Sequence, residues 1–146
     1  MSRNIPLAIK NIKNEMQALK GFQELSGGQL ITEAASAVWQ GEIDRTQPIG
    51  TFSILAAFEA TFTRTDGANK PPLVDFAFLI TPQIDDKVQY LHGNVIATGE
   101  NSVTFRITID ALGWWPFGSS NTGNIEINIS AYSPVAGYLD IERVYS

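Results

Sequence analysis

The chain has 146 residues, 44% hydrophobic and 17% charged, with a formal net charge of −5 and no cysteine. That length accommodates one domain with its own core, and the composition is globular rather than disordered. The lack of cysteine excludes disulfides, thiolate metal sites and a cysteine nucleophile, and the acidic excess argues against nucleic acid, whose phosphates need clustered Lys and Arg.

Charge is unevenly spread. Residues 1–25 carry four basic side chains (Arg3, Lys10, Lys13, Lys20) and two acidic ones (Glu15, Glu24), a net +2 that leaves −7 for the rest. The N-terminus has no long apolar core of a signal peptide, and no run of about 18 apolar residues is present to span a bilayer. The expectation is a protein made in the cytoplasm without secretion or membrane insertion; release by cell lysis, as for a virus particle, is compatible with it. The low charge density fits a surface partly hidden in an oligomer.

Residues 4–25 read as a helix. Asn4 is a plausible N-cap, and Pro6 lies near the first helical position, where a missing N–H costs little. Ile5, Ile9, Ile12, Met16 and Leu19 recur at spacings of four and three, which is a heptad seam. Gln23 stands where the seam should continue, and Gly27-Gly28 breaks the helix. An isolated helix of this length is marginal in water. It must pack either on copies of itself or on its own β-domain, and isoleucine at both seam positions favours three strands or more.

From residue 29 the period changes to two. Leu30–Trp39 is the first strand expected. In Thr51–Thr63, Phe52, Ile54, Ala56, Phe58, Ala60 and Phe62 share one face, with Leu55 and Ala57 as exceptions to the pattern. Turn residues at 64–67 and Lys70-Pro71-Pro72 follow, then Val74–Ile80 alternates again, which predicts a long hairpin or neighbouring strands across a loop of about ten residues. Lys87–Ala97, 102–110, 124–131 and Tyr138–Tyr145 complete seven or eight strands. No helical pattern separates them. The predicted fold is therefore mainly β: an N-terminal coiled-coil helix (1–28) followed by an antiparallel β-sandwich or jelly-roll-like head (29–146).

No catalytic signature stands out. A Ser–His–Asp arrangement would have to use His92, which sits inside a predicted strand without a nucleophile elbow. Asp85 and Asp86 are adjacent, so they point to opposite faces of a strand or sit solvated in a turn; a calcium site is the sharper alternative. No glycine loop has a phosphate-binding pattern. The sequon at Asn128 falls within a strand. No catalytic residue, metal site or cofactor is expected.

The residues that stand out are Trp114, Trp115, Pro116 and Phe117, running into Gly118, Ser119, Ser120 and Asn121. They fill the connection between two strands, and connections carry function more often than strands do. Rings beside amides and hydroxyls are what sugar recognition uses. The candidate ligand surface is Trp114, Trp115, Phe117, Asn121 and Tyr90, with Tyr132 and Tyr138 as possible additions. The competing readings are a cap on the core end and a subunit contact.

A short heptad helix, a Gly-Gly hinge and a β-domain in this order resemble the tail-fibre or receptor-binding proteins of tailed bacteriophages. The resemblance implies a non-enzymatic homotrimer in the virion tail. Ile5, Ile9, Ile12, Met16 and Leu19 would form the trimeric stalk, and 29–146 the head. Its partners would be other virion proteins and host-surface polysaccharide or lipopolysaccharide, without cofactor, nucleic acid or membrane insertion. A structural tail or baseplate component and a small glycan-degrading enzyme are the alternatives.

Overall fold

Among the described residues, alternation along the chain becomes eight strands. The structure, a computed structural model, describes residues 22–24, 30–46, 54–83, 91–111 and 113–145. The strands are β1 (Phe22–Glu24), β2 (Leu30–Asp44), β3 (Ile54–Arg64), β4 (Asp75–Thr81), β5 (Leu91–Thr98), β6 (Ser102–Asp110), β7 (Thr122–Ser133) and β8 (Gly137–Tyr145). There is no helix among the described residues. In β6 the alternation is complete: Val103, Phe105, Ile107 and Ile109 are buried, while Thr104, Arg106 and Thr108 between them are half-buried on the other face.

The strands form two four-stranded antiparallel sheets, ordered β1-β2-β7-β4 and β5-β6-β3-β8. Two long pairings are nested in sequence, β2 with β7 and β3 with β6. β8 adds to β3 and β4 adds to β7. The expected hairpin of 51–63 with 74–80 is therefore corrected: β3 and β4 lie in different sheets. Their connection is long enough to cross between layers, and each strand finds its ladder with a segment distant in sequence. β2 also runs five residues beyond the predicted end at Trp39, paired with β7 as far as Asp44.

The predicted helix and its seam of Ile5, Ile9, Ile12, Met16 and Leu19 lie outside the described residues. Its C-terminal end is corrected. Phe22–Glu24 pairs antiparallel with Leu30–Thr32, where the heptad pattern had already failed at Gln23 and a free edge of β2 offers backbone partners.

One core lies between the sheets. It combines Ile125, Ile127, Ile129 and Ala131 of β7 with Ala56, Phe58, Ala60 and Phe62 of β3 and Phe105, Ile107 and Ile109 of β6. Rings bridge the layers: Trp39 to Phe58 at 4.6 Å between centroids, and Phe76 to Phe105 at 4.8 Å. Each fully buried Ile or Phe contributes about 1.5–3 kcal/mol of transfer free energy. Leu55, an exception to the alternation of β3, is also buried, because a bulge between Ile54 and Ala56 inserts it into the ladder as an extra residue.

Candidate functional site

The segment 113–121 leaves β6 and enters β7. Adjacent residues of an extended chain point opposite ways, and the two tryptophans divide accordingly. Trp114 has no exposed surface and belongs to the core, packed at its end. Its indole Nε1 is buried without an acceptor, which costs about 1–3 kcal/mol and is outweighed by the area the ring buries. A ring with no exposed face cannot stack on a ligand, so Trp114 supports the loop from beneath.

Trp115 is half-buried on the outer side. Its Nε1 donates to the Ser120 carbonyl at 2.7 Å, and its ring meets Phe117 edge-on at 5.0 Å. The chain turns back through Gly118 at φ +65°, a left-handed conformation that glycine adopts without strain. The Ser120 N–H then donates to the Phe117 carbonyl at 3.3 Å. The Ser120 hydroxyl donates to the Thr122 carbonyl at 2.9 Å. Phe117 lies flat against Gly123, where a Cβ would run into the ring. Every one of these contacts is local, so the loop holds its own shape.

Arg45, at the end of β2, completes the cluster. Its N–H donates to the Asn121 carbonyl at 3.0 Å, and its guanidinium carbon stands 5.2 Å from the centre of the Trp115 ring. The turn that presents it is closed by Asp44, whose carboxylate accepts from the Thr46 N–H at 2.9 Å and the Thr46 hydroxyl at 2.7 Å. These two bonds, the hydroxyl first, hold the Asp44 carboxyl below its ordinary pKa. Around Trp115 and Arg45, residues 118–122 and Thr46 are exposed. The result is a fixed aromatic–guanidinium corner with hydroxyl and amide groups beside it, suited to a neutral or anionic polar ligand.

Of the predicted ligand residues, the structure thus brings together Trp115, Phe117 and Asn121, and withdraws Trp114 into the core. Tyr90 lies outside the described residues, as do Asp85 and Asp86. Tyr132 is ten positions along β7 from Thr122, about 34 Å at strand rise. Tyr138 pairs with Thr63 at the far end of β3. Neither tyrosine joins the corner. His92 is an exposed residue of β5. Asn128 of the sequon is half-buried in β7 and donates to Glu126 at 2.7 Å. No group of three or more metal-ligating side chains occurs among the described residues.

Arg45 was missed from the sequence. The predicted strand ended six residues earlier, at Trp39, and only the β2–β7 register places Arg45 beside the tryptophan. The opposite end of the sandwich has its own arginine. Arg64 is buried; its Nε and Nη2 each donate to Asp66 at 2.7 Å, and its Nη1 donates to the Lys70 carbonyl at 3.1 Å. A recess of about 350 Å³ opens there, lined by Arg64, Lys70, Pro71, Leu73, Pro134 and Val135. Compared with known proteins, the chain matches no family, and neither a curated protein nor a solved structure is significantly similar to it.

Proposed function

We propose that the chain is a non-enzymatic receptor-binding protein of the phage tail-fibre type. Its jelly-roll-like β-head binds host-surface polysaccharide or lipopolysaccharide, and the seam Ile5, Ile9, Ile12, Met16 and Leu19 gathers three heads. The observation that carries the reading is Trp115, a ring fixed by Ser120, Phe117 and Arg45 among exposed Ser119, Ser120 and Asn121. A preorganised ring loses little freedom on stacking against a sugar, and an arginine beside it suits the phosphate or carboxylate groups of bacterial glycans. Three weak sites acting together bind far more tightly than one.

The experiment is adsorption of the purified protein to host cells and to extracted lipopolysaccharide. Trp115→Ala should abolish binding while mass in solution holds and thermal stability falls less than for Trp114→Ala, since the ring is only half-buried. Retained binding would remove the corner from the site. In parallel, Ile9→Asp with Ile12→Asp should lower the mass threefold, since each carboxylate would be buried against its copies.

A structural tail or baseplate component is the second reading. The self-contained packing of the loop favours it, because Trp115 spends its only donor on Ser120. Under that reading Trp115→Ala impairs assembly into the particle and leaves adsorption untouched.

A further inference from the structure

Among the described residues, strand β5 stands at the edge of its sheet and pairs with β6 alone. Seven consecutive residues, His92–Thr98, are exposed, with Val95 at 49% and Ile96 at 38%. None of the seven carries a charge at neutral pH. Gly93 points inward, where a Cβ would approach Phe105 to 2.5 Å and Phe78 to 2.7 Å. The rings of β4 and β6 therefore come right up to the β5 backbone. Val95, next along the same inward face, is half uncovered because β4 is the edge of the facing sheet.

Sheet edges are ordinarily guarded by charge or proline, because their unpaired N–H and C=O groups accept any passing strand. The other edge of this sheet follows the rule: β8 carries Asp140, Glu142 and Arg143. β5 does not. In a chain of net charge −5, two copies approaching through most of their surface repel one another. Residues 92–98 themselves bring no like charges together.

We propose that β5 is a subunit seam, in which β5 of a second copy pairs with it antiparallel about a two-fold axis. The same patch then serves both partners, as an isologous contact requires. Alternate residues of an antiparallel strand turn both backbone groups outward, which supplies the ladder. Val95 and Ile96 of both copies leave water at its rim. The bulge between Val95 and Ala97 ends regular pairing and fixes the register. With the stalk proposed above, the seam joins two trimers; it does not depend on the glycan reading.

Light scattering on the full chain tests this. The wild type should have a mass that is an even multiple of 16.0 kDa, and Val95→Lys with Ile96→Lys should halve it. Val95→Thr with Ile96→Thr keeps strand propensity and should move dissociation to higher concentration. An odd multiple for the wild type would overturn the seam. So would an unchanged mass in the lysine variant. A lowered melting temperature with unchanged mass would also overturn it, and would mean that the chain covers its own edge. The stalk variant at Ile9 and Ile12 lowers the mass threefold independently, so the two associations fail separately.

Discussion

The two ends of the sandwich are each built around an arginine beside a strand terminus, and they use it in opposite ways. Arg64 is buried and grips Asp66 with two nitrogens while a third reaches Lys70. Neighbouring loops close over it: the Arg64 N–H donates to Asn101, the Thr65 N–H to Ala136, and the Ser133 hydroxyl to Leu73. Arg45 lies instead on the Trp115 ring, with its backbone N–H tied to the neighbouring loop. A fork spent on a carboxylate fastens one loop to the next. A fork laid on a ring keeps its edge towards solvent, where a ligand can meet it. Loop ties make the first end a clasp, and rings make the second a platform.

The largest expected effect falls beneath the platform. Trp114→Ala should cost about 3–5 kcal/mol, because a fully buried indole leaves a cavity that the core closes only in part. At roughly 2–4 °C per kcal/mol for a domain of this size, the melting temperature should fall by roughly 10 °C. Trp114→Phe should cost clearly less, since it also removes an N–H without an acceptor. Urea denaturation of both variants checks this; a negligible loss for the alanine variant would put Trp114 outside the core and erase the contrast with Trp115.

The clasp should show itself through acid. Arg64, mainly by hydrogen bonding, holds the Asp66 carboxyl at about 2, below the usual value near 3.9. Because the folded pKa is depressed, the ion pair stabilises fully above about pH 4 and loses its effect as pH falls through about 2. Asp66→Asn should therefore be less stable than the wild type at pH 6 and converge with it near pH 2. Parallel curves across that interval would show that the pair contributes nothing to the clasp.

The smallest stability effect belongs to Arg45. A guanidinium on a partly exposed ring is worth about 0.5–1 kcal/mol, so Arg45→Ala should barely move the melting temperature. Under the proposed function it should weaken glycan adsorption all the same. A variant that loses stability but keeps adsorption would make this end a second clasp.

The strands were legible because each sheet buries one face, so β6, β7 and β3 from Phe58 onward alternate residue by residue. Pairing was not legible. Nothing in residues 64–74 distinguishes a wide hairpin from a crossing, since β3 and β4 find their ladders with distant strands, and the Ser133 hydroxyl that holds the Leu73 carbonyl lies 60 positions away. At the platform, the loop and its aromatic content were visible, and both tryptophans were read as candidate ligand residues. Which one was inside depends on how the chain leaves β6 after Ile109. Arg45 and Trp115 are 70 residues apart in the chain, so no local pattern links them. The heptad seam remains a sequence reading, outside the described residues.

The nested ladders also bear on the order in which this chain can acquire its shape. β2 finds its main partner in β7, about 90 residues later, and the central β3 pairs with β6 and β8. Contacts so distant impose a large loop-closure entropy and slow folding. During synthesis, β2, β3 and β4 must wait beside the ribosome with their apolar faces unpaired until β6 and β7 emerge. That interval, rather than the finished sandwich, is when the chain is most open to aggregation and most in need of a chaperone.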